Sequence, residues 1–91
     1  MTTITISHSW FSAFMDVRGH AGDHDVCTAI STITNMVVAA LPEGVEPDIY
    51  EEGHVMVKRV AGERRIIEVT AVAEKMFKEL EEQHPDCLKV I

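Results

Sequence analysis

The 91 residues include 15 acidic and 8 basic side chains, for a formal net charge of −7, and are 46% hydrophobic and 25% charged. A chain of that length has room for one core and reads as one domain, residues 1–91, of ordinary globular composition rather than a disordered segment. The acidic balance speaks against a nucleic-acid-binding surface, because the pairs Lys58-Arg59 and Arg64-Arg65 are too short to make the basic patch such a surface needs.

No internal repeat, low-complexity tract or linker interrupts the chain. Thr2 to Ser7 alternates Thr and Ile with a period of two, the pattern of a half-buried strand. His8-Ser9 is placed for a tight turn, Trp10 to Arg18 for the returning strand, and Gly19 for its end. Asp25 is suited to cap a helix whose apolar residues Val26, Ala29, Ile30, Ile33, Val37, Ala40 and Leu41 recur at helical spacing. Pro42 closes that helix, and residues 42–47 form a loop. Asp48 to Glu51 and His54 to Val60 read as two strands around a turn at Glu52-Gly53, and Gly62 and Glu63 mark the next change. Ile66, Val69, Ala73, Met76 and Leu80, joined by Val72 and Phe77, then outline the apolar face of a second helix. His84-Pro85 stops it, and Cys87 to Ile91 makes a short last strand. The order is ββαββαβ, an α+β domain in which helices cover an antiparallel sheet.

No stretch approaches the roughly 18–20 apolar residues of a membrane span. The N-terminus also lacks the basic start and apolar run of a signal peptide. Two cysteines, Cys27 and Cys87, do not make the disulfide framework of a small secreted domain. The expectation is a reduced, cytoplasmic protein with free thiols and no membrane partner. His8, His54 and His84 are expected in solvent. Cys87 is expected to fill space, and Trp10 and Phe11, with Phe14 and Met15, to serve the core or a dimer contact.

Ionisable chemistry concentrates between His20 and Cys27, where His20, Asp23, His24, Asp25 and Cys27 fall within one short connection. Three explanations compete. With Asp25 as cap, Cys27 is the second helical residue, where free amides and the helix dipole favour the thiolate that acts as nucleophile. A loop folding back would bring the His20 imidazole beside the sulfur as its base, and later as the acid for a leaving amine. Zinc binding by His20, His24 and Cys27 with an aspartate is the second explanation, but the spacing matches no standard motif and a second ligand pair is missing. The third is that Cys27 fills a hole and His20 simply ends a strand.

The residues themselves, Gly19-His20-Ala21 followed by Asp25-Val26-Cys27-Thr28-Ala29-Ile30-Ser31, resemble the ribosomal-processing cysteine protease (Prp) family. Its motif is Gly-His-Ala, a loop, then Asp-Ile-Val-Cys-Ala-Ala-Val-Ser. The resemblance spans essentially the whole chain: the family has a similar length, the order ββαββαβ, a Pro-Asp-Ile opening the third strand (Pro47-Asp48-Ile49 here) and an acidic second helix. It implies a cysteine endopeptidase with Cys27 as nucleophile and His20 as base, supported by Asp25 and Ser31, and with no metal or cofactor. Asp25 either orients His20 or only caps the helix, and Ser31, one turn after Cys27, either lines the cleft or edges the helix. The implied substrate is the N-terminal extension of a large-subunit bacterial ribosomal protein precursor, cut to support ribosome assembly. Some relatives process phage structural proteins instead. A homodimer is implied as well. The family places a longer, lid-like segment between its histidine and aspartate, where this chain has four residues, 21–24. That difference sustains an alternative, a non-catalytic homologue that binds a ribosomal or other protein segment.

Overall fold

The computed structural model describes residues 1–60 and 63–91; the expected break at Gly62 lies outside them. In chain order the elements are β1 (Thr2–His8), β2 (Ser12–Gly19), α1 (His24–Ala39), β3 (Ile49–Glu51), β4 (His54–Val60), α2 (Arg64–Gln83) and β5 (Leu88–Val90). The expected α+β order ββαββαβ is the observed one. One five-stranded sheet is ordered β3-β4-β2-β1-β5. Three of its pairings are antiparallel, but β5 lies parallel to β1, so the sheet is mostly rather than wholly antiparallel.

That pairing explains where the helices sit. β2 and β3 both run antiparallel to β4, and β4 and β5 both run parallel to β1. Each helix is therefore the crossover between two parallel strands. Strand direction and lateral displacement both reverse between the two crossovers, so the right-handed rule puts both helices on one face. Ile4, Ile6, Met15, Val17, Val57 and Leu88 point to that face and are buried, meeting Val26, Ile30, Ile33 and Val37 of α1 and Ile66, Ala73 and Phe77 of α2. The β-branched Thr and Ile of β1 suit a pleated surface with one face covered. In α1, Thr28, Thr32 and Thr34 return their hydroxyls to the carbonyls four residues back, so packing of the apolar stripe, not intrinsic propensity, holds this helix.

Several boundaries and faces differ from the sequence expectation. β2 begins at Ser12, not Trp10, because Ser9 to Phe11 form the turn, tied by the Ser9 amide to the Ser12 carbonyl at 2.9 Å. Trp10 is consequently 87% exposed and stacks edge-on against Phe11, and neither joins the core. In α2 the buried line is Ile66, Thr70, Ala73 and Phe77, whereas Val72 and Met76 are exposed. The stripe is rotated from the one expected because Thr70, polar in sequence, takes a core position and leaves its hydroxyl buried without a partner among the described residues. β3 and β5 are each three residues long, shorter than Asp48–Glu51 and Cys87–Ile91.

The most consequential correction concerns the helix cap. Asp25 does not cap α1. Gly22 turns the chain at φ +79°, Asp23 follows in extended backbone, and its carboxylate accepts the Val26 amide at 3.1 Å. The helix starts at His24, so Asp25 lies exposed within its first turn. Asp23 and His24 are thus cap and first helical residue, and the connection from His20 shrinks to Ala21 and Gly22.

Candidate active site

The strand end and the helix start border an open cleft of about 560 Å³. Cys27 and Ser31 face it one turn apart on α1, and Asn35 continues the same helical line after another turn. Opposite them lie His20, just past β2, and the residues Glu51, Glu52 and Gly53 of the β3–β4 hairpin. Val17, Ile30 and Val55 supply apolar floor. Across one end, the Tyr50 hydroxyl donates to Asn35 Oδ1 at 2.9 Å, linking β3 to α1. Thus His20, Cys27 and Ser31, singled out from sequence, border one cavity, whereas Asp25 does not.

The shifted cap alters how Cys27 is presented. Its amide donates to the Asp23 carbonyl at 2.9 Å, so it is already inside the helical ladder rather than among the free first-turn amides. The half-buried thiol still stands within one turn of the positive helix end. His20 is exposed, and among the described residues no hydrogen bond reaches its ring. Cys87, also a free thiol, packs half-buried against the core and does not line the cleft.

His54, expected in solvent, instead joins a polar cluster on the uncovered face of the sheet. Asp16 is only 8% exposed; its Oδ1 meets His54 Nε2 at 2.7 Å, and its Oδ2 accepts from Arg18 Nε at 2.8 Å. Asp16 pairs with Met56 and Arg18 with His54 across β2 and β4, so the Asp16–His54 contact is the diagonal reach between adjacent strands. Burial of a polar group this enclosed is costly without such hydrogen-bond partners.

Among the described residues, no group of three or more His, Cys, Asp or Glu side chains is arranged to hold a metal ion. Likewise, among the described residues, no helix is long and apolar enough to cross a membrane. The cleft is bordered by the carboxylates of Glu51 and Glu52 and, among the described residues, by no Lys or Arg.

Sequence reasoning missed Asn35, Tyr50 and the hairpin wall. Asn35 was within reach, since it falls eight residues after Cys27 on the face that carries Ser31. The wall was not, because only the pairing of β2 with β4 brings residues 51–54 to His20.

No family model matches the chain, and no curated protein matches it significantly. Solved structures do. The crystal structure of the essential ribosomal processing protease Prp from S. aureus, in complex with a covalently linked product peptide, superposes with a TM-score of 0.79 at 20% identity, covering 99% of this chain and 97% of that one. The crystal structure of SMU.848 from Streptococcus mutans gives a TM-score of 0.72 at 19% identity, with 99% and 91% covered. The chain therefore has the fold of the ribosomal processing protease from end to end.

Proposed function

We propose that this protein is a cysteine endopeptidase of the ribosomal-processing kind, with Cys27 as nucleophile and His20 as general base and acid. The observation that carries the reading is that His20 and Cys27, picked out by their sequence pattern, border one cleft in a fold shared with a processing protease that holds a product peptide covalently.

The chemistry follows from the two side chains. His20 takes the thiol proton, and the sulfur attacks the carbonyl carbon of the scissile peptide bond. The imidazolium returns that proton to the departing amine, which otherwise leaves poorly, and an acyl-enzyme remains on Cys27. Water then attacks the thioester while His20 accepts one of its protons; the thiolate departs beside the imidazolium, and the acid product gives its remaining proton to solvent. Cys27 stands within one turn of the positive end of α1 at both stages. Ser31 is assigned to the substrate-facing wall, and Asp25 to the charge balance of the first helical turn rather than to orientation of His20. The proposed substrate is the N-terminal extension of a large-subunit ribosomal protein precursor, met in the cytoplasm, and a second copy of the chain is the proposed oligomeric partner. No metal or cofactor takes part.

One observation favours the alternative, a protein-binding homologue without catalysis. Only Ala21 and Gly22 separate His20 from the cap of α1, and Ala21 is buried, so this connection is too short to form a lid over the cleft. The two readings separate on incubation with the ribosomal protein precursor of the same genome. The protease reading expects cleavage by the native chain and none by Cys27→Ala. Cleavage that survives the substitution contradicts it, and tight binding without cleavage by either form supports the alternative.

A further inference from the structure

The exposed His20 ring, which no hydrogen bond reaches among the described residues, meets the β3–β4 turn. We infer that the β3–β4 turn, through Gly53, positions the His20 imidazole; this rests on His20 being the base of the proposed reaction. A Cβ at Gly53 would lie 3.2 Å from His20 Nε2 and 3.6 Å from Cε1, so the ring rests against a backbone surface that exists because residue 53 has no side chain. Gly53 also has φ +81°, a conformation that other residues adopt at a cost. Its carbonyl accepts the Gly19 amide at 2.9 Å, tying the turn to the residue that precedes His20.

The Asp16 cluster braces this same junction. It holds Arg18 of β2 and His54 of β4, the residues that flank the Gly19–Gly53 bond. The turn and the strand end are therefore tied into one frame, and the exposed ring rests against its turn side. Gly53 borders the cleft but brings no ionisable group to the reaction; acting through the His20 ring, it is a positioning residue. A methyl group there pushes the ring by a few tenths of an ångström or turns it away, and displacements on the order of 1 Å can cost about 100-fold in rate.

The test is iodoacetamide labelling of Cys27 between about pH 5 and 9, a range that covers imidazole and thiol ionisation, with Cys87 as internal reference. In Gly53→Ala the His20-dependent acceleration of Cys27 labelling falls about tenfold or more, while Cys87 is unchanged. Gly53→Asn, whose side chain tolerates left-handed backbone, carries the same Cβ with less strain and shows the same loss. Gly44→Ala is the strain control: Gly44 has φ +82° and open space around it, and its substitution keeps the native profile. In a His20→Ala background, Gly53→Ala has no further effect. A His20-dependent profile retained in both Gly53 variants, or a loss that persists without His20, overturns the inference while leaving the proposed pair intact. A native profile already insensitive to His20→Ala overturns the assignment of His20 itself, and this inference with it.

Discussion

The two hairpin tips of the sheet are built to different ends. The β1–β2 tip, Ser9 to Phe11, carries a Trp that is 87% exposed and is held by local bonds, the Ser9 amide to the Ser12 carbonyl and a 2.7 Å contact between the two serine hydroxyls. The β3–β4 tip, Glu52-Gly53, is tied sideways to β2 by the Gly19–Gly53 bond and, one residue on, by the His54–Asp16 contact. A tip whose bonds, among the described residues, are local can change without disturbing the fold. A tip held by a neighbouring strand transmits change, and that second tip is the one facing His20.

The largest expected effect at the braced end comes from Gly19→Ala. Gly19 has φ +92°, and a Cβ there would stand 2.5 Å from the Met1 carbonyl oxygen, a backbone atom. Left-handed strain and overpacking together cost about 3 kcal/mol, read as a lower urea midpoint. Asp16→Ala comes next: it removes the common partner of His54 and Arg18 and costs about 2 kcal/mol, since hydrogen bonds to charged groups are lost from a mostly enclosed site. Asp23→Ala removes the cap of α1 and costs about 1 kcal/mol, whereas Asp25→Ala costs less than half of that. Trp10→Ala, at the free tip, changes stability by less than about 0.5 kcal/mol. Should Trp10→Ala prove as costly as Asp16→Ala in the same urea titrations, the contrast between the tips fails.

Much of this was legible from the sequence where structure is local. The period-two run of β1, the bounds of β4 and the turn at Glu52-Gly53 follow from residue type and alternation. His20, Cys27 and Ser31, singled out by their motif and the helical repeat, border one cleft. Two aspartates with equal capping chemistry, Asp23 and Asp25, stand two residues apart, and the choice was made by the backbone turn at Gly22, which spacing does not reveal. The face of α2 was misjudged because Thr70 reads as polar while packing gives it a core place. The Asp16–His54 contact joins residues 38 positions apart, on strands that become neighbours only once α1 has crossed over. Nothing near His54 in the sequence announces its partner.

The central claim is that His20 activates Cys27, and the labelling rates of the two thiols near neutral pH test it most directly. With iodoacetamide on the native chain, Cys27 is predicted to react at least about tenfold faster than Cys87, and His20→Ala to remove most of that difference. Equal, slow labelling of Cys27 and Cys87 in the native chain, unchanged by His20→Ala, would contradict the account.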